Sequence, residues 1–378
     1  MIDVDDPVSP TEPDQLDGAP HPREAKQLFG HQAAQESFLE AFNTGRLHHA
    51  WLISGPRGVG KATLAWRLAL FLLATPTSGD GAGLFGVPPA PDSLDIAPDH
   101  PIARRLRARS EPRLFHVTRS RNDKTGRLRD QILAEDVRGL AGFFGLKAAD
   151  GGRRVVILDA ADDMNIHAAN ALLKMLEEPP ADTILLLLSH RPGQLLPTIR
   201  SRCRILPLTP LGAEDLGAAL AQAGFDPGQD QSTISQLSEG SVGTAIRLLG
   251  LDGGALYADI VALMNSLPGL DRPRVIKMTN ALVARGAEAQ LDLLYDLIEL
   301  LLGRMARAGA SGSVPPEAVP GEGALIARLS CDAAAARAWA ECAARIGARS
   351  RHGRSVNLDP ATLVLDTVFE LQRTAQAV

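Results

Sequence analysis

The sequence predicts an α/β domain, a parallel sheet with helices on both faces, followed by a small helical lid and an all-helical C-terminal domain. Three observations predict it. Short, continuous apolar runs at 50–53, 155–158 and 184–188 alternate with amphipathic helical patterns, and strands apolar on both sides belong to sheets covered on both faces. A glycine-rich loop separates the first run from a helix, and from residue 210 onward the strand patterns stop. With 378 residues, 45% of them hydrophobic, the chain has enough apolar mass for more than one core. Aromatics are only 4%, which favours helices and loops over an all-β chain.

In chain order, residues 1–24 read as an acidic, proline-rich disordered arm. GHQAAQESFLEAFNTG is a helix with Ala34, Phe38, Leu39 and Phe42 on one face and Gly45 as its stop. The strand at 50–53 runs into SGPRGVGK, and TLAWRLALFLLA continues as a helix. Residues 75–130 read as a loop-rich, partly basic insertion that holds a strand in PRLFHVTRS. ILAEDVRGLAGFFGLKAA is a helix with Glu135 and Asp136 in its first turn and Lys147 in its last, the charge order the helix dipole prefers. A strand at 155–158, a helix stopped by Pro179 and Pro180, a strand at 184–188, and a helical turn leading to a last strand complete the domain at 25–207. Three short helices form the lid at 208–253, and longer amphipathic helices fill 254–378.

Several function classes are excluded. Net charge is −5, so no global basic excess holds nucleic acid, and contact with DNA must be local or made through partners. Three cysteines, Cys203, Cys331 and Cys342, make neither a disulfide framework nor a four-thiolate zinc site, and their scarcity fits a reducing cytoplasm. No apolar run reaches membrane-spanning length, and the first residues lack the basic start and apolar core of a signal peptide.

Gly55-Pro56-Arg57-Gly58-Val59-Gly60-Lys61 fits the phosphate-binding pattern G-x-x-x-x-G-K. Glycines let backbone N–H groups surround phosphate oxygens, the following helix presents its positive end, and the lysine balances charge. The next position needs a hydroxyl for Mg²⁺ but is Ala62; Thr63 comes one place late and points about 100° away on a helix. Asp159 closes an apolar strand, either as a second acidic motif that helps hold Mg²⁺ or as a helix N-cap. Hydrolysing relatives of this class place Glu after it; here stands Ala160. Lys61 and the glycines therefore argue for ATP or ADP bound without hydrolysis. Arg202, in Ser201-Arg202-Cys203, is either an arginine finger reaching a neighbouring subunit's γ-phosphate or part of a solvated charge run with Arg200 and Arg204.

The order GRLHHAWLISGPRGVGKAT, RRVVILDAADDMNIHAANALLKMLEEPP, SHRPGQLLPTIRSRCRILPL closely resembles bacterial clamp-loader subunits of the AAA+ class, over residues 28–250. NLDPATLVLDTVFELQ is similar to the helix that ends such subunits. The resemblance implies a ring assembled through C-terminal collar helices with motor (gamma or tau) and delta subunits, acting on a sliding clamp and primer-template DNA. It implies that the S-R-C arginine, Arg202, acts in trans. It implies a first sensor at Ser189 and a second-sensor arginine in a G-S-x-R pattern. Here that pattern is Gly240-Ser241-Val242-Gly243, without the arginine, and Arg247 one turn later reads as solvated. Many relatives carry four cysteines in a zinc module between the phosphate loop and the aspartate strand; residues 62–158 contain none, so no zinc is expected. Lys174, Glu177 and Glu178 read equally as a salt-bridged helix face or as an intersubunit surface. Two rivals remain: a working ATPase of the same class using Thr63 and Asp162, and a P-loop kinase, for which the helical C-terminal third supplies no acceptor pocket.

Overall fold

The computed structural model describes residues 12–75, 90–145, 152–356 and 358–378. The chain divides into two compact units, residues 1–224 with 240–243, and residues 225–239 with 244–378.

In the first unit, five strands form one parallel sheet in the order β2-β3-β4-β1-β5. They are β1 (Ala50–Ser54), β2 (Leu114–Val117), β3 (Arg154–Leu158), β4 (Thr183–Ser189) and β5 (Arg204–Pro207). Registers such as Leu52↔Leu187, Leu158↔Leu187 and Ile53↔Leu206 hold the strands in line. Alternate residues serve opposite faces, as the two-residue period of a strand requires. Trp51, Ile53, Val155, Ile157, Leu186 and Leu188 face α1 (Gln32–Asn43), α2 (Lys61–Ala74) and α3 (Pro101–Arg107). Leu52, Val156, Leu158, Leu185 and Leu187 face α4 (Ala134–Gly145), α5 (Ile166–Glu177) and α6 (Pro197–Arg200). That double covering explains why these strands read as unbroken apolar runs. On α5, the Asn165 side chain accepts from Ala168 N at 2.8 Å, an N-cap worth about 1 kcal/mol. The helix α7 (Ala213–Gln222) also belongs here.

The expected arm needs correction. Its first eleven residues lie outside the described ones, but residues 12–24 are folded, with Ala19 and His21 buried and a 3-10 turn at Pro22–Glu24. Lys147 and residues 76–89 of the expected insertion also lie outside the described residues. The rest of that insertion contains α3, β2 and a tight antiparallel turn bridged at Arg121 and Leu128.

The second unit is helical: α8 (Gln231–Ser238), α9 (Val242–Gly250, its first two residues grouped with the first unit), α10 (Gly253–Asn265), α11 (Arg272–Leu282), α12 (Glu288–Ser311), α13 (Glu322–Leu329), α14 (Ala333–Ser355) and α15 (Pro360–Ala377). α12 lies along α14, and α15 packs on α11 and α14. The leucine stripe Leu291, Leu294, Leu297 and Leu301 is core. Arg247 pairs with Asp296 of α12 at 2.5 Å, so it is not merely solvated as expected. Among the described residues no helix is long and apolar enough to cross a membrane.

Candidate functional site

The glycine-rich loop joins the end of β1 to the start of α2, and Gly60 begins α2 in the left-handed region. Each carbonyl from Gly55 to Val59 accepts a hydrogen bond from this unit. Lys61 Nζ donates to Gly55 O at 2.9 Å and Pro56 O at 2.6 Å. Ser241 Oγ donates to Arg57 O at 2.9 Å, Gly243 N to Gly58 O at 3.0 Å, and His31 Nε2 to Val59 O at 2.8 Å. Among the described residues no partner is found for the N–H groups of Gly58, Val59 and Gly60. With its carbonyls occupied, the loop leaves those three amides open to an anion.

Gly58 and Gly243 meet backbone to backbone. Gly58 has φ +75°, and a Cβ on it would lie 2.4 Å from Ser241 Oγ and 2.9 Å from Gly243 Cα. The position where the clamp-loader pattern carries its second-sensor arginine is thus a glycine packed on the loop itself, which the sequence marked only as an absence.

Lys61 is 3% exposed. Burial lowers its pKa to about 8, against the pull of the Asp159 and Asp162 carboxylates. Burial, reinforced by Asp14, raises Asp159 to about 7, opposed by Lys61. Asp159 is not a helix cap; the 3-10 turn after it begins from Ala160, whose side chain makes no capping bond. Asp162 is committed elsewhere: its carboxylate accepts from Ser189 Oγ at 2.8 Å, His190 N at 2.5 Å and Arg191 N at 3.2 Å, tying the end of β3 to the end of β4. Burial pushes the adjacent His190 down to about 4, which keeps it neutral. Ala62 packs against the core and Thr63 is half-buried beside it.

The folded segment 12–24 brings residues to the neighbourhood of Asp159 that the sequence did not single out. Asp14 Oδ2 lies 2.9 Å from His21 Nε2 and 3.5 Å from His116 Nε2. Glu12 pairs with Arg23 and Arg109. Glu12, Asp14 and His21 bring their ligand atoms within 4.8 Å of one another, as a metal site would. The hydrogen bonding argues otherwise. His21 Nδ1 accepts from Arg23 N at 3.1 Å, which places the ring proton on Nε2, 2.9 Å from Asp14 Oδ2. Metal at that nitrogen would require an imidazolate, beside two guanidinium groups.

Arg202 follows α6. Ile199 is buried and Cys203 packs against the core, so the backbone between them is pinned. Arg202 Nη1 donates to Thr198 O at 3.1 Å, and Nη2 lies 3.0 Å from Glu177 Oε1 at the end of α5. Arg204 remains exposed while its guanidinium lies over the Trp51 ring at 4.9 Å. Arg202 precedes β5, and the glycine-rich loop follows β1. The two strands run parallel with Trp51 opposite Arg204 and Ser54 opposite Pro207. Arg202 and the loop therefore sit at opposite ends of the sheet, about 13 Å apart along the strands at ~3.3 Å per residue.

Sheet, loop and covering helices define a P-loop α/β domain. The family described as "DNA polymerase III, delta subunit" matches residues 30–212. DNA polymerase III subunit delta' of Pseudomonas aeruginosa is 39% identical over 206 residues, 53% of this chain and 56% of that protein. The same subunit of Escherichia coli is 28% identical over 304 residues, 78% of this chain and 80% of that one. The matched stretch thus spans little more than half the length of the Pseudomonas relative. A gamma subunit-related protein of Thermotoga maritima overlays 89% of this chain and 99% of its own at 17% identity, with a TM-score of 0.40, a likeness that carries no argument. Over residues 30–212 the chain is similar to the DNA polymerase III delta subunit family, and over a longer stretch to delta' subunits of DNA polymerase III.

Proposed function

We propose that this chain is a non-hydrolysing clamp-loader subunit that lends Arg202 to the ATP site of a neighbouring motor subunit. Its partners are then gamma or tau and delta subunits in a cytoplasmic ring, with the sliding clamp and primer-template DNA engaged through the assembly. The observation that carries this reading is the separation of Arg202 from its own phosphate loop by the length of the sheet: it cannot serve that loop, and it is a third exposed. A guanidinium so placed stabilises charge on a transferring γ-phosphate supplied by another chain.

The chain's own loop holds ATP or ADP without cleaving it and without a zinc module. Ala62 supplies no hydroxyl for Mg²⁺, Ala160 supplies no carboxylate to orient water, and Asp162 is saturated by three donors. The last point weighs against the rival in which Thr63 and Asp162 restore hydrolysis.

The test is ATP turnover by the assembled ring, stimulated by clamp and primed DNA. Arg202→Ala is expected to slow the neighbouring site by about 10³-fold or more while the ring still assembles. Wild-type turnover in that variant, or magnesium-dependent ATP hydrolysis by the isolated chain, overturns the reading.

A further inference from the structure

Glu177 is the last residue of α5. A carboxylate there faces the negative end of the helix dipole, so helix stability does not account for it. Its side chain is half-exposed and meets Arg202 Nη2 at 3.0 Å. On the other side of the same guanidinium, Thr198 O accepts from Nη1 at 3.1 Å. The root of Arg202 is already fixed, with Arg202 N bonded to Ile199 O at 3.1 Å and Cys203 N to Arg200 O at 3.3 Å. What is left free is the long side chain, and these two acceptors take up that freedom.

From this geometry we infer that Glu177 is a positioning residue for Arg202. A guanidinium carries five N–H donors in a fixed plane. Thr198 O and Glu177 engage two of them from this chain and leave three for an acceptor beyond it. The bracket thereby presents a preoriented fork to a phosphate of the neighbouring subunit. A half-exposed ion pair biases the side chain by only about two- to fivefold, so it orients the guanidinium without trapping it against a triphosphate of higher charge. The fixed fork is also why lysine would not substitute for Arg202. The inference rests on the trans reading of Arg202 and adds to it the residue that aims the side chain.

The experiment uses the assembled ring with wild-type chain, Glu177→Gln, Glu177→Asp, Arg202→Ala and the Glu177→Gln/Arg202→Ala pair. Turnover and KM for ATP are measured, with ring assembly followed by gel filtration. Glu177→Gln is expected to lower kcat about two- to fivefold with KM unchanged, Glu177→Asp to recover part of that loss, and Glu177→Gln to add nothing once Arg202 is gone. Glu177→Gln at or above wild-type turnover overturns the inference, as does an equal loss in the Arg202→Ala background or a failure of the ring to assemble. If Arg202→Ala slows turnover and Glu177→Gln does not, only the positioning role falls. If Arg202→Ala itself runs at wild-type speed, the trans reading falls and takes this inference with it.

Discussion

Each unit contains a deeply buried cation, Lys61 in the first and Arg304 in the second, and these two are treated in opposite ways. In the first, Lys61 is 3% exposed and its ammonium touches two carbonyls; the carboxylates of Asp159 and Asp162 attract it without bonding to it. In the second, Arg304 is 4% exposed and meets Glu322 through Nε at 2.6 Å and Nη2 at 3.3 Å, with Pro316 O accepting a further bond at 2.5 Å. Glu322, itself fully buried, also accepts from Tyr257 OH and Ala318 N, both at 2.7 Å. Burial and the Glu322 carboxylate push the Tyr257 hydroxyl far above its ordinary range, so it remains a donor. A buried charge needs a partner and filled hydrogen bonds. Arg304 has both and pins the loop before α13. Lys61 has only dipoles, and its lowered pKa records the shortfall. The difference separates a cation tied into a structural network from one that would gain a counter-charge from the proposed nucleotide.

Breaking the satisfied pair should have the largest effect. Glu322→Ala strands Arg304 and is expected to cost about 3–5 kcal/mol, read by urea denaturation; a loss near zero would mean the network is ornamental. Next comes the contact over the phosphate loop. Gly58→Ala adds a Cβ 2.4 Å from Ser241 Oγ at a positive φ, for an expected loss of about 1–3 kcal/mol. Lys61→Met sharpens the comparison from the other side: stability should stay within about 1 kcal/mol of wild type, because an unmatched charge is removed. Pyrophosphate or ADP binding, followed by calorimetry, should disappear in the same variant.

The smallest effects are in pH dependence. Lys61 ionises near 8 when folded against an ordinary 10.5, so between those values the unfolded chain holds more protons and stability rises with pH. Asp159 is displaced the other way, from 3.8 to about 7, so its contribution is full below pH 4 and is lost as pH rises towards 7. Denaturation curves across both windows should lose the upper slope in Lys61→Met and the lower one in Asp159→Asn.

How much of this was legible in the sequence follows from how far each signal reaches along the chain. The strands and the phosphate loop were readable because their cause is local: apolar runs, glycines at fixed spacing, a lysine at the helix start. The short α13 was not, because its apolar residues Leu325, Ile326 and Leu329 follow a proline-rich stretch and span too few turns for a helical period to emerge. Residues 12–24 looked disordered by composition, yet the charges responsible are used in contacts with Arg109 and His116, far along the chain. Gly243 could be read only as a missing arginine; that it packs on Gly58 is a relation between residues 185 positions apart. The Arg202–Glu177 pair joins two motifs that were each visible, but nothing in either spacing says that they meet.

Segment 12–24 has one further consequence. Of the three tryptophans, Trp51 and Trp339 are sealed in the cores of their own units. Trp66 instead has the rings of His21 and His116 edge-on at 5.4 and 5.1 Å, with Arg23 over its face at 5.9 Å. It lies on α2, the helix that begins with Lys61. Detaching the amino-terminal stretch would strip a cation and an imidazole from one indole and leave the other two untouched, so the protein carries its own optical reporter of that docking.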